Sequence, residues 1–346
     1  MPRSRPPSMN DVAAVAGVSH QTVSRVLNGH AYVRGETRER VLAAIETLGY
    51  RRNQAARALV TARTGVLGVM TAGTTQFGIA SAVLAIERAA RAAGYFVSLA
   101  SLASPGAGAA ADVLDRLMDQ GVDGVVVIAP TREVARLIDG IDLPVPVVVV
   151  AARDDVTDRG AARYVSIDQR AGAAAATRHL LALGHERVAH VQGEDDWFDA
   201  IERARGYADM MRASGGGPLI VRAGGWSARQ GHAAGARLVE EVRRGVTAVF
   251  CANDYLAIGA VHALAESGLR VPDDVSVVGF DDIDGSAHLL PPLTTVRQPF
   301  ARLGDEVLRA IEGAEAPLVT VAPELVVRAS TAQPRRNTPP GSPDAV

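Results

Sequence analysis

The apolar positions of the chain follow two rhythms. Between residues 8 and 49 they recur at helical spacing: Val12, Val15 and Ala16 over about 9–16, then Val23, Val26 and Leu27, then Val41, Leu42, Ile45 and Leu48 over about 36–48. From residue 65 they gather into short runs at 66–70, 96–100, 125–128, 147–150, 165–167, 188–192, 219–222, 248–251 and 275–280. Amphipathic stretches near 79–93, 110–119, 171–183, 200–213, 228–243 and 255–267 separate them. Strand–helix alternation of this kind predicts parallel sheets covered on both faces. Residues 65–333 are too many for one doubly wound unit, so two lobes are expected.

The punctuation of the first segment is that of short helices. Ser8-Met9-Asn10-Asp11 fits a capping box. Gly17 can stop the first helix with positive φ, Ser19 can cap the second, and Gly49 follows the third. In the second helix Gln21, Arg25 and Asn28 share the outer face, and His20, Gln21 and Thr22 occupy the first turn. Two short helices joined at a glycine, with small Ala13 where they approach, read as a helix-turn-helix. Its outward side chains suit base edges: Arg and Gln bond guanine and adenine bidentately, and the Thr methyl meets that of thymine. The same polar residues also suit a merely solvated face.

Charge sharpens the division. Residues 1–63 carry ten Arg against four acids, net +6, whereas the whole 346-residue chain is −2. A basic head on an acidic body points to a polyanion-binding module joined to something else. All 36 basic residues are Arg, which fits a GC-rich coding bias. The chain is 48% hydrophobic, which excludes general disorder, yet its longest apolar stretch, 143–152, is broken by Pro146 and too short to span a bilayer. No secretory pattern opens it, and the single cysteine, Cys251, excludes an internal disulfide. A cytoplasmic, nucleoid-associated protein is expected. No phosphate loop, nucleophile elbow or metal-ligand spacing stands out; Gly215–Gly217 reads as a turn, and His179 and His185 are six apart. Neither an enzyme nor a cofactor is expected.

The run from Asp11 through Ala16-Gly17-Val18-Ser19-His20-Gln21-Thr22-Val23-Ser24-Arg25-Val26-Leu27-Asn28, with Thr37-Arg38-Glu39-Arg40-Val41, Leu48-Gly49-Tyr50 and Asn53, resembles the headpiece of the LacI/GalR family of transcriptional regulators. The resemblance implies that His20, Gln21 and Arg25 read bases, that Ser19, Thr22, Asn28, Thr37 and Asn53 serve phosphates, and that Asn10 reaches the groove edge. Residues 53–61 match the family's hinge helix, with Ala56 and Leu59 in the minor groove and Leu59 as the wedge. A helix under three turns is marginal in water, so it should form only against DNA and a second hinge. Leu59 also suits an ordinary linker. Where the family often has Pro before Asn53, this chain has Arg52.

The body carries further motifs of that family: Ala252-Asn253-Asp254, Gly279-Phe280-Asp281-Asp282, Arg203–Tyr207, Gly225-Trp226-Ser227 and Pro291–Gln298. By the resemblance, Arg203, Asn253 and Asp281 hydrogen-bond a ligand, Trp226 stacks on it, Gln76, Phe77 and Gly78 close the site, and Gln298 and Phe300 contribute from a crossover. That set matches a polyhydroxylated ring. Asn253 and Asp281 are also placed to cap helices, and Asp254 reads as an N-cap; Trp226 also suits the core, Trp197 suits either the entrance or plain packing, and Arg203 suits a surface helix position or a partner acid. Some relatives have a ligand-binding acid where this chain has Ala151, with Arg153 and Asp154 nearby.

The expected architecture is therefore an arm (1–7), an all-α helix-turn-helix headpiece (8–52), a hinge and linker (53–63) and a two-lobed, periplasmic-binding-protein-like α/β body of doubly wound parallel sheets (64–333). Lobe one takes about 64–166 and 298–322, lobe two about 167–297 and 323–333, and a Pro-rich tail (334–346) follows. The expected partners are double-stranded operator DNA, a sugar-like effector and a second copy in a homodimer, with no membrane. The reading is a repressor of carbohydrate-utilisation genes released from a pseudo-palindromic operator. A co-repressor-dependent regulator sensing a nucleoside or purine, and a sugar sensor that binds no DNA, remain as alternatives.

Overall fold

The computed structural model describes residues 5, 7–27, 30, 32–50, 63–73, 75–102, 107–138, 142–152, 162–314 and 318–335. The chain divides into two compact units, Met1–Thr64 and Gly65–Val346.

The first unit holds α1 (Met9–Ala16), α2 (His20–Leu27) and α3 (Gly35–Leu48). The Ser8 hydroxyl accepts from Asp11 N while Asp11 accepts from Ser8 N, a complete capping box. Gly17 ends α1 at φ 62° and Gly49 ends α3 at φ 58°. Val12, Ala13, Ala16, Val23, Val26, Val41, Ala44 and Tyr50 form the core. Two expected core positions are corrected: Val15 is 57% exposed and Leu42 is 51% exposed. The inward rows run 9, 12, 13, 16 and 41, 44, 45, 48, so both residues sit off the stripe while Ala13 and Ala44 lie on it.

The second unit begins with β1 (Val66–Thr71), α4 (Phe77–Ala92), β2 (Phe96–Ser101), α5 (Ala107–Asp119), β3 (Gly124–Ile128), α6 (Arg132–Ile138), β4 (Val147–Val150) and β5 (Arg163–Ile167). It continues with α7 (Gln169–Ala182), β6 (Val188–Gln192), α8 (Phe198–Ala213), β7 (Leu219–Arg222), α9 (Ala228–Arg243), β8 (Ala248–Cys251), α10 (Asp254–Glu266) and β9 (Ser276–Val278). Last come β10 (Thr295–Arg297), α11 (Phe300–Ile311), β11 (Leu318–Val321) and β12 (Glu324–Val326).

Two sheets result. One has the order β11-β5-β4-β3-β1-β2 and the other β7-β6-β8-β9, and every pairing in both is parallel. The first sheet packs on α4 and α11 on one face and on α5 and α6 on the other. The second packs on α7 and α8, and on α9 and α10. The central strands β3, β6 and β8 are buried along their length, and β3 accordingly reads as a continuous Val-rich run. The chain passes between the lobes near 167–169, 297–300 and 321–324, where β10 pairs antiparallel with β12. Among the described residues no helix is long and apolar enough to cross a membrane.

A cleft between the two lobes and an exposed helix face

Of the body residues named from sequence as ligand contacts, Gln76, Phe77, Gly78, Arg203, Trp226, Asn253, Asp281 and Gln298 line one cavity of about 470 Å³, and Phe300 does not. Lobe two builds most of it at the carboxyl ends of its strands, where open parallel sheets bind ligands. Beyond β7, Gly224 turns the chain at φ 70° and delivers Trp226, and Ser227 then caps α9. Beyond β8, Asn253 caps α10, its Oδ1 accepting from Leu256 N at 2.8 Å while its Nδ2 donates to Trp226 O at 3.1 Å. Capping and cavity lining therefore coexist in Asn253. Beyond β9, Asp281 sits at φ 114°, a strained backbone that aims its carboxylate at the cleft. Gln76, Phe77 and Gly78, at the start of α4, face it from lobe one. A Cβ on Gly78 would meet nothing within 4 Å.

The charged centre is a closed ring of four side chains. Arg203 Nε donates to Gln169 Oε1 at 2.9 Å, and Gln169 Nε2 donates to Gln298 Oε1 at 2.9 Å. Gln298 Nε2 donates to Asp281 Oδ1 at 2.7 Å, and Arg203 Nη2 lies 3.5 Å from that oxygen. Arg203 also donates to Ala252 O, stands 3.6 Å from Asp199 and lies 3.8 Å over the Phe280 ring. Burial raises the Asp281 carboxyl to about 7, against the opposing pull of Arg203 and with Asp254 and Asp199 adding to the rise. Burial also pushes Asp199 up.

Trp226 forms the flat wall. Trp197 meets it edge-on at 5.5 Å, and the buried Nε1 of Trp226 has no acceptor among the described residues. The ring lies on Gly193, where an added Cβ would come within 2.7 Å of it. Gly193→Ala should therefore displace the indole and weaken ligand binding at least about fivefold, the low end of a roughly 1–3 kcal/mol overpacking cost. Titration calorimetry against the cognate ligand measures it. The cavity thus offers carboxylate acceptors, a fixed guanidinium, an amide and an indole face, the complement of a ring carrying vicinal hydroxyls.

Several assignments change. Asp254 is not the cap of α10, because the extended residue there is Asn253 at φ −150°. Asp254 instead accepts from Ser286 Oγ at 2.6 Å, Thr295 Oγ1 at 2.6 Å and Ile283 N at 2.9 Å, pinning the segment behind Asp281. Asp281 caps no helix. Trp197 lines the main cavity and a smaller one beside it, which Phe300 and Ala151 also line. Phe300 reaches the main site only through Phe77, whose ring it meets at 6.0 Å. Arg153 and Asp154 lie outside the described residues. Sequence reasoning missed Asp199 and Gln169. Asp199 carried a signal, one helical turn before Arg203 on α8; Gln169 carried none.

In the first unit, α2 presents His20, Gln21 and Arg25 exposed on one side, while Val23 and Val26 are buried on the other. Ser19 Oγ accepts from Thr22 N at 3.2 Å and lies 3.0 Å from Thr22 Oγ1, so these hydroxyls fix the helix start. Asn10 is exposed and Thr37 half-buried. Asn28, Asn53, Ala56 and Leu59 lie outside the described residues.

A helix-turn-helix unit beside a two-lobed ligand-binding body defines a ligand-responsive DNA-binding regulator rather than an enzyme. Residues 8–53 match the model for bacterial regulatory proteins of the lacI family, and 177–331 match a periplasmic binding protein-like domain. The lactose operon repressor of Escherichia coli (strain K12) is 33% identical over 350 residues, covering 99% of this chain and 95% of that protein. The chain belongs to the LacI family of transcriptional regulators. Its fold superposes on a lac repressor dimer bound to operator and the anti-inducer ONPF, with a TM-score of 0.82 and 31% identity over 95% of this chain and 100% of that one. A CelR–cellobiose complex matches with a TM-score of 0.67 and 31% identity, over 94% and 99% of the two chains.

Proposed function

We propose that the protein is a homodimeric repressor of carbohydrate-utilisation genes, released from a pseudo-palindromic operator by a small sugar. The observation that carries the sugar reading is the convergence of Arg203, Asp281, Asn253 and Trp226 on one cleft closed from the other lobe by Gln76, Phe77 and Gly78. The cellobiose complex of a relative supports it. Trp226 covers the C–H face of the sugar, and Asp281 and Arg203 bond its hydroxyls. A second copy suits the large apolar side chains left exposed at Leu84, Phe96, Leu99 and Leu290, and a dimer of a relative holds operator DNA.

Ligand and DNA are then coupled through the crossovers. Gln169 and Gln298 lie where the chain passes between lobes, and both belong to the polar ring around Asp281. A ligand that engages Asp281 redistributes that ring and draws the lobes together. The test is calorimetry with pentoses, hexoses, disaccharides and nucleosides, each with and without operator duplex. A disaccharide or hexose should bind, and operator should change its affinity by roughly 5- to 150-fold, the usual range of such coupling. Selective nucleoside binding, or equal affinity with and without DNA, overturns the reading.

The headpiece assignment makes its own prediction. Arg25→Ala should cost about tenfold in preference for operator over random duplex while sugar affinity stays put. Competition binding at physiological salt, where non-specific affinity is weak, measures it. Unchanged preference would assign Arg25 to solvent.

A further inference from the structure

We infer that His232, His262 and Glu266 form a site for a divalent transition-metal ion of the zinc class, which clasps α9 to α10. None of the three lines the ligand cavity. The proposal starts from helix packing. Gly231 lies against the Leu256 main chain, Gly235 against the Ala263 methyl, and Gly259 against the Ala228 carbonyl and the His232 nitrogen. A Cβ at any of the three would collide, so the sequence brings the two helices closer than larger residues permit. That approach sets His232 of α9 beside His262 and Glu266 of α10, which are four residues apart on one face.

The geometry is that of a preformed ligand set. His232 Nε2 is 2.7 Å from Glu266 Oε2, and His262 Nε2 is 3.5 Å from Glu266 Oε1. The two imidazole rings stand 5.1 Å apart. One ligand atom from each residue falls within 4.8 Å of the others. A tetrahedral zinc ion, with bonds of about 2.0–2.2 Å, holds its ligand atoms about 3.3 Å apart, so side-chain rotation alone closes the set. Two imidazoles and one carboxylate are a borderline donor set, suited to zinc or cobalt rather than to calcium or magnesium. The three residues line an open recess of about 380 Å³ together with Arg229, Ala228, Ile258 and Gly259, which leaves room for water at a fourth position. All three are exposed, so an ion reaches them from solvent without desolvating a core. Both ligand-bearing helices start in the wall of the sugar cleft, α9 just after Trp226 and α10 just after Asn253. An ion there fixes the two elements that position that wall.

The test is to strip the full-length protein with chelator and titrate it with zinc against a chromophoric competitor, then to load it with cobalt and record visible absorption. One ion per chain, tetrahedral cobalt bands and a higher melting temperature with zinc are expected. His232→Ala and His262→Ala should each weaken zinc at least tenfold and remove the cobalt bands. Glu266→Gln should weaken it less. All three variants should melt as the parent does in chelator, since the residues are exposed. Zinc binding unchanged in the His232→Ala/His262→Ala double variant would place the ion elsewhere and overturn the proposal. So would failure of the parent to take up zinc at micromolar concentration.

Discussion

Asp281→Asn should leave a regulator that holds its operator and responds to its effector only at higher concentration. Asparagine keeps an oxygen for Gln298 Nε2, so the ring around Arg203 loses a charge but not its shape. A hydrogen bond to a charged group contributes roughly 1.5–3 kcal/mol against about 0.5–1.5 for a neutral partner, a difference of about 1–1.5 kcal/mol, so effector affinity should fall on the order of 5- to 12-fold. Operator affinity without effector should stay within about threefold of the parent, because Asp281 belongs to the body and not to the helix-turn-helix unit. Calorimetry with the effector and fluorescence anisotropy with labelled operator separate the two effects. Loss of operator binding in this variant would instead make Asp281 a residue that shapes the DNA-competent form. Effector affinity unchanged would move the effector to the lobe-one side of the cleft, near Gln76 and Phe77.

The headpiece was legible because its signals are local. A capping box, a glycine at φ 62° and a polar outer row all act within a few residues. The parallel sheets were legible because strands buried on both faces leave uninterrupted Val-rich runs. The errors share that logic. Val15 and Leu42 are apolar residues one step off the stripe, and period alone cannot place the stripe when Ala competes with Leu for the inner row. Three-residue strands such as β10 and β12 exist only because they pair with each other across the crossovers, and so have no pattern of their own.

The cleft was legible only in part, and the division is physical. Asn253, Asp281 and Trp226 follow strand ends, and strand ends of parallel sheets are where sites are built. Gln169 bonds Gln298 across 129 residues of chain. No periodicity, cap or composition foreshadows a contact of that separation. Asp254 misled for the opposite reason. An acid at a helix start usually caps it, yet here Asn253 takes that role and Asp254 holds Ser286 and Thr295. Burial raises both Asp254 and Asp281, so two neighbouring acids share one low-dielectric region with one guanidinium between Asp281 and Asp199.

That arrangement makes effector affinity depend on pH, in a direction that reports the chemistry of the bond. The groups that face Asp281 are Arg203 and Asp199 from α8, Asp254 from α10 and Gln298 from the crossover. Burial outweighs the cation, and the carboxyl stands at about 7. Its native value lies above its unfolded value. The stability it contributes is complete below about pH 4 and is lost as pH rises through about 7. At neutral pH the carboxyl is about half ionised and already accepts from Gln298 Nε2, so an effector hydroxyl that adds a further donor favours the ionised form. If the hydroxyl donates, only the ionised form binds well. Affinity should then fall roughly 25-fold from pH 7.5 to 5.5, approaching tenfold per unit below 7, and binding should release a proton. Calorimetry in buffers of different ionisation enthalpy counts that proton, and Asp281→Asn should flatten the profile. If the neutral acid donates to a ring oxygen of the effector, the slope reverses and binding takes up a proton. The sign of the slope thus tells which partner donates, and a flat parent profile would mean that the effector never engages Asp281.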